Sequence, residues 1–289
     1  MERPTLSIII PTHNSEPTIK RCLSSLTSQS YPRDKFEIII VDDGSKDNTL
    51  DLCKKGEADQ IIQTEPCFQG KARNIGAKNS IANNLAFLDS DCEVEDGWIE
   101  SIIKELEEKE AITGPIHNGN PKSTVAWAEY FLEFGGWSKK KNGTKIRFIP
   151  GCNQAYQKKS FEKTGGFTEL RASEDILFGE SLRRAGIDAF FVDGMQIFHL
   201  CRTSPDKFYA NMNLLGRYSA RARKSIPSLK YGSLMTNRWM IPILFVGKLA
   251  KIAEHAIGQN SGKFFLALPS IIIGTASFCK GVLEEIKQN

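Results

Sequence analysis

Several features that define common classes of protein are missing from this sequence. None of its seven cysteines forms a C-x-x-C pair, and their number is odd, which argues against a disulfide framework and against a cysteine-ligated zinc site. Its four histidines include no H-E-x-x-H pattern, and no G-x-G-x-x-G follows the first apolar run. The N-terminus lacks the apolar core of a signal peptide. We therefore predict a cytosolic protein with reduced thiols.

Acidic residues are scarce in the last third of the chain. Residues 1–200 hold 25 Lys and Arg against 30 Asp and Glu, whereas residues 201–289 hold 13 against 4. A basic segment that is also apolar is more typical of binding to an anionic membrane surface than to nucleic acid. We therefore predict a membrane surface, and no nucleic acid, as a partner.

Uninterrupted apolar runs long enough to cross a membrane are also missing. Residues 239–246 and 264–279 are strongly apolar, but a spanning helix needs about 20 such residues. Pro269 and Gly274 are expected to interrupt the second run. We predict a helical pair that lies in, or dips into, one leaflet. A buried helical hairpin and an apolar homodimer surface are the alternatives.

The sequence does contain a regular alternation of strands and helices. Short, β-branched, fully apolar runs are typical of buried parallel strands, and helical patterns separate them. This order predicts an α/β fold with a doubly wound, mainly parallel sheet. The predicted strands cover residues 6–10, 36–41, 60–63, 85–88, 111–113, 189–192 and 196–200. The predicted helices include residues 47–55, 70–82, 96–109, 173–185 and 205–224.

Polar side chains follow three of these strands at their carboxyl ends, where ligands bind in such sheets. Acids after two of these strands, expected to have no nearby basic partner, indicate a site more than a set of helix caps. The members are Thr12, His13 and Asn14 after the first strand, Asp42 and Asp43 after the second, and Asp89 and Asp91 after the fourth.

These residues suggest the chemistry of a nucleotide ligand. Asp89 and Asp91, close together at one strand end, suit a divalent cation that also holds a diphosphate. The acids of the second strand could accept hydrogen bonds from a base or ribose, and Lys71 and Arg73 could meet phosphate. The acid pair at residues 174–175 stands at a helix start, where one member is free to act as a general base.

Together these segments resemble family 2 inverting glycosyltransferases, which have the glycosyltransferase A-type fold. The resemblance covers roughly residues 4–200, and the order and spacing of its pieces make it specific. The pieces are S-I-I-I-P-T-H-N at residues 7–14, V-D-D-G-S at 41–45, G-K-A-R-N at 70–74, L-D-S-D at 88–91, P-G-C-N at 150–153, G-G-F at 165–167 and S-E-D at 173–175.

The resemblance implies a role for each candidate residue. For a nucleotide-sugar donor, the implied ligands are Pro11, Thr12, Asn14, Asp42, Asp43, Lys71, Arg73, Asp89, Asp91 and Arg217. For Mn²⁺ or Mg²⁺ they are Asp89, Asp91 and His199, a core histidine being the alternative for His199. For the acceptor they are Gly151, Cys152 and Asn153. Asp175 is the implied base, with Glu174 as the alternative, and the helix N-terminus is expected to keep Asp175 ionised at neutral pH.

The sequence also departs from the family pattern. Another acid and an arginine commonly follow the acid pair, but Leu177 and Ser181 stand at the corresponding places. The Gln-x-x-Arg-Trp motif of processive synthases is missing, because neither of its two nearest matches has the glutamine: Met235-Thr236-Asn237-Arg238-Trp239 and Leu214-Leu215-Gly216-Arg217-Tyr218. The resemblance therefore implies transfer of a single sugar.

We predict a catalytic region at residues 1–203, with a nucleotide-binding half at 1–91 and an acceptor-binding half at 92–203. A helical membrane-associating region follows at 204–289. The predicted reaction moves one sugar from a UDP- or GDP-sugar to a hydroxyl, on a lipid-linked acceptor at the cytoplasmic membrane face, in glycan or cell-envelope polysaccharide assembly. A non-enzymatic scaffold and a sugar-nucleotide pyrophosphorylase are the alternatives.

Overall fold

The computed structural model describes residues 3–137, 140–256 and 260–288, and the chain divides into two compact units. The first unit comprises Met1–His117 and Lys140–His199, and the second comprises Asn118–Lys139 and Leu200–Asn289. The C-terminal boundary lies close to the predicted one at residue 203. Residues 118–139, however, group with the C-terminal region. Residues 1, 2, 138 and 139 of the predicted catalytic region, and 257–259 and 289 of the predicted C-terminal region, lie outside the described residues.

The first unit is built on an eight-stranded sheet with the order β3-β2-β1-β4-β9-β6-β10-β8. The pairs β1–β2, β1–β4, β2–β3 and β6–β10 are parallel, whereas β9 runs antiparallel to β4 and β6, and β8 antiparallel to β10. This confirms the predicted mainly parallel sheet. The strands are β1 (Leu6–Thr12), β2 (Phe36–Asp42), β3 (Gln60–Gln63), β4 (Asn84–Leu88), β6 (Ala111–Thr113), β8 (Lys145–Ile146), β9 (Asn153–Gln157) and β10 (Ala189–Phe191).

A second, three-stranded sheet has the order β5-β11-β7. Its strands are β5 (Cys92–Val94), β7 (Ile116–Asn118) and β11 (Ile197–His199). Six helices accompany the two sheets: α1 (Ile19–Thr27), α2 (Thr49–Lys55), α3 (Phe68–Asn79), α4 (Trp98–Glu105), α6 (Lys158–Lys163) and α7 (Glu174–Arg184).

Burial explains why these segments form strands and helices. Every residue of β1 is buried, as expected for a strand covered on both faces. The buried residues of α1 recur at helical spacing, at Ile19, Cys22, Leu23 and Leu26, so one face of this helix packs inward.

The second unit is helical. Its helices are α5 (Thr124–Glu133), α8 (Pro205–Ser225), α9 (Gly232–Thr236), α10 (Ile241–Ala256) and α11 (Ser261–Lys287). Residues 118–139 belong to this second unit because α5 packs on the C-terminal helices. The rings of Phe131 on α5 and Phe264 on α11 lie 5.9 Å apart. Helices α8 and α11 approach closely at two glycines. A Cβ at Gly216 would lie 2.0 Å from the Phe278 carbonyl oxygen, and one at Gly281 would lie 2.0 Å from that of Asn213.

The expected interruption of the second apolar run is wrong. Helix α11 is continuous over 27 residues, with Pro269 inside it. A proline removes one backbone hydrogen bond, and packing can hold the helix together across that gap. Gly274 provides close contact instead of a break, because a Cβ there would lie 2.6 Å from the Phe208 ring. This helix is long and apolar enough to cross a membrane by length and composition, although 44% of its most apolar window is buried within the protein.

Candidate active site

The carboxyl ends of three neighbouring strands bring the predicted donor residues together. Because β2, β1 and β4 are adjacent, the residues that end them meet at one edge of the sheet. Thr12 pairs with Asp42 in the parallel register, and the Thr12 hydroxyl donates to Asp42 Oδ1 at 3.2 Å. The other oxygen of Asp42 accepts the Ser45 backbone N–H at 3.1 Å. Asp42 is buried, so its carboxylate orders the turn that follows β2.

Asp43 holds the start of helix α3. Its carboxylate accepts the backbone N–H groups of Cys67 and Phe68, the latter at 3.0 Å. Phe68 has a φ of 64°, which a bulky residue adopts only under constraint, and its side chain is 43% exposed. The Arg171 guanidinium lies 5.9 Å from its ring centroid. Sequence reasoning missed Phe68, and an aromatic residue just before Gln69-Gly70 was the available signal.

The predicted residues that follow β1 form a compact turn against the end of β2. Pro11 lies within β1 and is buried. The His13 ring donates from Nδ1 to the Asp43 carbonyl oxygen at 2.7 Å. Asn14 has a φ of 51°, and its backbone N–H donates to the Ser45 hydroxyl at 2.9 Å. Asn14 Oδ1 accepts the Lys46 backbone N–H at 2.8 Å.

Arg73 is the buried centre of the site. One terminal nitrogen lies 2.6 Å from Asp89 Oδ1 and the other 2.6 Å from Glu174 Oε1, and the side chain has no exposed surface. The expectation that the strand-end acids have no basic partner is therefore wrong. The sequence does not show this contact, because α3 brings Arg73 to Asp89 from 16 residues away. Paired charges of this kind fix the positions of both carboxylates.

Lys71 takes a different position from Arg73 on the same helix. Its side chain is 45% exposed, and its ammonium lies 3.5 Å from the Glu169 carboxylate. An exposed cation with one weak surface partner can turn towards a bound phosphate at little cost. Gly70, which precedes it, allows α3 to approach a neighbouring loop, because a Cβ there would lie 2.3 Å from the Thr168 carbonyl oxygen.

Asp175 and Glu174 at the start of α7 have different environments. Glu174 is 2% exposed and is bound to Arg73, while its second carboxylate oxygen has no hydrogen-bond partner among the described residues. Asp175 is partly exposed and accepts the backbone N–H groups of Ile176 at 2.8 Å and Gly151 at 3.3 Å. Of the two, Asp175 is the carboxylate that an acceptor hydroxyl could reach.

The expected ionisation of Asp175 at neutral pH is corrected by its surroundings. Burial, followed by the nearby charge of Glu174, raises the pKa of Asp175 from 3.8 to about 7. The charge of Arg73 and the backbone N–H donors lower this pKa, but they do not offset the loss of water. The helix N-terminus therefore does not determine the pKa of Asp175. A carboxyl group with a pKa near 7 is well matched to proton transfer at neutral pH.

His199 meets Asp91 because strands β5 and β11 pair antiparallel. The register places His199 opposite Cys92, so the His199 ring lies beside the residue that precedes Cys92. His199 Nε2 lies 3.5 Å from Asp91 Oδ1. The donor atoms of Asp91, Cys92 and His199 all lie within 4.8 Å of one another. Sequence reasoning did not include Cys92 in this cluster.

The donor chemistry of this cluster fits a divalent cation. A carboxylate and an imidazole are suitable ligands for Mn²⁺, and carboxylates suit Mg²⁺. Burial raises the pKa of the Cys92 thiol well above its usual range, so a neutral thiol stands at the third position. Asp89, two residues before Asp91, keeps 25% of its side chain exposed although one oxygen binds Arg73.

The residues predicted to meet the acceptor are differently placed. Gly151 donates its backbone N–H to Asp175, whereas Cys152 is 3% exposed. Asn153 is fully buried, and its side-chain amide donates to the Met195 carbonyl oxygen at 2.8 Å while its oxygen accepts the Trp98 indole N–H at 3.1 Å. Their contact with an acceptor stays a prediction.

The remaining donor residue of the prediction, Arg217, lies in the second unit. Its guanidinium is 2.7 Å from the Glu284 carboxylate, across the α8–α11 pair. This ion pair gives Arg217 a place in the helix packing. Its contact with a nucleotide sugar stays a prediction.

Comparison with known proteins agrees with these features. Residues 7–165 match the family described as Glycosyl transferase family 2. Glycosyltransferase AglE of Haloferax volcanii is 28% identical over 196 residues, covering 65% of this chain and 64% of that protein. Glycosyltransferase GlyA of Streptococcus pneumoniae is 27% identical over 244 residues, covering 81% of this chain and 32% of that protein. The chain thus spans less than two thirds of the length of these curated relatives.

Solved structures share the fold. The mannosyltransferase PcManGT of Pyrobaculum calidifontis, in complex with GDP-Man and Mn²⁺, superimposes with a TM-score of 0.65 at 18% identity, covering 100% of this chain and 89% of that one. TarS 1–349 of Staphylococcus aureus, in complex with UDP-GlcNAc, gives a TM-score of 0.57 at 19% identity, covering 98% and 92%. The family match spans more than half of the sequence and includes the strand-end acids and the Arg73 helix. The chain therefore belongs to glycosyl transferase family 2.

Proposed function

We propose that the protein is a metal-dependent glycosyltransferase that moves one sugar from a nucleotide-sugar donor to an acceptor hydroxyl with inversion. The observation that carries this proposal is the geometry around Arg73. This buried cation holds Asp89 of the donor edge and Glu174 beside Asp175, so a donor-binding carboxylate and a proton acceptor are fixed in one unit of the fold. Family membership supports the same reaction.

In the proposed reaction Asp175 is the general base. The acceptor oxygen forms a bond to the anomeric carbon while the bond from that carbon to the donor phosphate oxygen breaks. The hydroxyl proton moves to the Asp175 carboxylate, and the leaving group is a nucleoside diphosphate. A single displacement of this kind inverts the anomeric configuration, and it needs one base and no covalent nucleophile. The backbone N–H groups of Gly151 and Ile176 hold the carboxylate in a fixed orientation.

Asp91 and His199, with Asp89 nearby, are the residues that would hold Mn²⁺ or Mg²⁺. A divalent cation at this edge would neutralise negative charge on the donor diphosphate. Besides the cation, a side chain of the protein would bind the donor diphosphate: the ammonium of the partly exposed Lys71 can reach a phosphate. Thr12, Asn14 and the acids after β2 order the turn on which a base and ribose would rest.

The donor is proposed to be a UDP- or GDP-sugar. Structural neighbours with the same fold contain UDP-GlcNAc in one case and GDP-Man with Mn²⁺ in another, which supports this class without selecting one member. The acceptor is proposed to be lipid-linked and presented at the cytoplasmic face of a membrane. The basic, apolar character of residues 201–289 supports this choice.

A panel of UDP- and GDP-sugars, each with Mn²⁺, Mg²⁺ or EDTA, tests the proposal. We expect metal-dependent release of a nucleoside diphosphate, together with transfer of the sugar to material that extracts into organic solvent. Release of a nucleoside triphosphate in the presence of pyrophosphate would identify a pyrophosphorylase, and the absence of any turnover would identify a scaffold.

A matched variant separates loss of the base from a general effect of removing a carboxylate. Asp175→Asn should lose turnover, whereas Asp51→Asn, on the exposed face of α2, should keep it. Nuclear magnetic resonance of the product should show the anomeric configuration opposite to that of the donor. A retained configuration would contradict the single-displacement mechanism.

A further inference from the structure

The second unit exposes a large apolar surface on two neighbouring helices. On α11 the exposed residues recur at helical spacing along one face, and on α10 and the turn before it they form a similar stripe. The large members are between 42% and 75% exposed: Trp239, Ile243, Val246, Phe265, Leu266, Ile272 and Ile273. Soluble monomers rarely expose so many large apolar side chains on neighbouring helices, so these two stripes, here together called the apolar face, indicate a binding partner.

The two helices are neighbours within this unit. The Lys248 ammonium of α10 lies 4.3 Å from the centroid of the Phe278 ring of α11. The inward side of α11 is packed against the protein, with Ala267, Ile271 and Gly274 buried. The exposed stripe is therefore not the loosely packed side of a core helix. The opposite side of α11 already provides the apolar residues that pack against the protein.

Positive charge borders the apolar face. Lys280 and Lys287 continue the exposed stripe of α11 beyond its apolar part, Lys263 stands near its start, and Lys251 ends the stripe of α10. Arg238 lies beside the exposed indole of Trp239, 4.6 Å from its ring. Among the described residues of α10 and α11, the one carboxylate classed as exposed is Glu254.

The carboxylates of α11 do not offset this charge at the surface. Glu284 and Glu285 form ion pairs with Arg217 and Arg221 of α8, at 2.7 and 2.8 Å. A face of large apolar side chains with a border of lysines and an exposed tryptophan has the character of helices that lie in the interface of an anionic bilayer. A self-associating surface would gain nothing from a border of like charges on both copies.

The length of the stripe favours lying in the membrane plane over crossing it. From Phe265 to Ala276 the apolar part of the stripe rises about 17 Å, at about 1.5 Å per residue. The hydrocarbon core of a bilayer is about 30 Å thick. Helix α11 also uses its other side for packing on α5 and α8, so only its exposed stripe is free to meet lipid.

We propose that the apolar face is a monotopic docking surface for an anionic phospholipid bilayer, with α10 and α11 lying in the interface and the bordering lysines on the headgroups. The proposal does not depend on the proposed sugar transfer. It makes membrane binding a property of one surface of the second unit and not of the C-terminal region as a whole.

Flotation of the full chain with vesicles tests this surface. We expect binding to phosphatidylcholine vesicles that contain phosphatidylglycerol, weaker binding to phosphatidylcholine alone, and weaker binding in high salt. Ile272→Ser/Ile273→Ser should weaken binding at least about tenfold, because two large side chains no longer enter the interface. Ile81→Ser is the matched control, since Ile81 is 49% exposed but lies in the first unit, and it should bind as the wild type.

Two further measurements test the lysine border and the alternative that the apolar face is a homodimer surface. Lys263→Gln/Lys280→Gln should lose about fivefold per lysine on anionic vesicles and little on neutral ones. Thermal unfolding should confirm that each variant is folded. If Ile272→Ser/Ile273→Ser keeps full vesicle binding, or if the wild type does not bind and light scattering shows a dimer that these substitutions dissociate, the membrane proposal is overturned.

Discussion

Replacing Asp175 with asparagine changes stability and activity in opposite directions. Burial raises the pKa of this carboxyl from 3.8 to about 7. At about 1.4 kcal/mol per pKa unit, keeping the ionised form in the fold costs about 4 kcal/mol. Asparagine is never ionised, and its single side-chain oxygen can accept only one of the two backbone N–H groups that Asp175 accepts. Losing the other costs about 1 kcal/mol.

The difference in stability between the two proteins therefore depends on pH. At about pH 3 and below, the Asp175 carboxyl is mostly protonated in both the folded and the unfolded chain, so the wild type should be the more stable by about 1 kcal/mol. As the pH rises to about 7, the unfolded chain releases this proton and the folded chain retains it, so the free energy of unfolding of the wild type falls. At pH 8 Asp175→Asn should be the more stable by about 3 kcal/mol, or about 5–10 °C in Tm.

The pH dependence of activity should report the same ionisation of Asp175. In the wild type, kcat/KM should rise with pH and level off above about 7, because the ionised carboxylate is the base. Asp175→Asn should lose about 10²–10⁴-fold in turnover and should lose this pH dependence, while donor binding with Mn²⁺ stays near normal.

Two assays decide the outcome: differential scanning fluorimetry across pH 3–8, and initial rates across the same range with a metal-saturated donor. The Glu174→Gln variant is the control for the neighbouring acid. A Tm difference that does not change with pH would refute the burial argument. Turnover that survives in Asp175→Asn and is lost in Glu174→Gln would move the base to Glu174.

Three further substitutions probe other parts of the structure. Asp91→Asn should abolish metal-dependent turnover and the thermal stabilisation by Mn²⁺, and full wild-type activity in EDTA would contradict the metal site. Arg73→Met should destabilise the fold by about 3–5 kcal/mol in urea unfolding, because it leaves two carboxylates near each other without their buried cation. Gly216→Ala should lower Tm, since the new Cβ would meet the Phe278 carbonyl oxygen at 2.0 Å, whereas Gly247→Ala, in open space, should not.

Much of the first unit could be predicted because its strands are buried on both faces. Strands β1, β2 and β4 are mostly apolar runs, and the polar residues and acids at their carboxyl ends lie where the parallel topology places strand ends. Strand β9 was missed for the opposite reason. Its sequence N-Q-A-Y-Q is mostly polar, yet Asn153 and Gln154 are fully buried. The Asn153 amide is satisfied by the distant residues Trp98 and Met195, which no local pattern reveals. The Gln154 amide donates to Gly151, three residues before it.

For the candidate site, the sequence predicts members but not pairings. The order of the motifs selects Asp89, Asp91 and Asp175 as candidates, since each stands at the end of a strand or at the start of a helix, and their roles stay predictions. The contact between Arg73 and Glu174 joins residues 101 positions apart, so it depends on how α3 and α7 pack. The pKa of Asp175 could not be inferred for the same reason, because burial is a property of the folded chain and not of the helix start.

The position of Arg73 explains why Glu174 is held in a buried ion pair, whereas the adjacent Asp175, the proposed base, accepts backbone N–H groups. Two terminal nitrogens of a single guanidinium each lie 2.6 Å from a different carboxylate, an arrangement that the single ammonium of a lysine cannot reproduce. Glu174 is thereby buried and fixed. Burial is the main cause that raises the pKa of the adjacent Asp175; the charge of Glu174 raises it further, and the charge of Arg73 lowers it. The same ion-pair network therefore joins Asp89, a proposed donor ligand, to Glu174, which neighbours the proposed base. Its rigidity comes from burial: with no exposed surface, the Arg73 guanidinium can leave neither carboxylate without stranding a charge in the core.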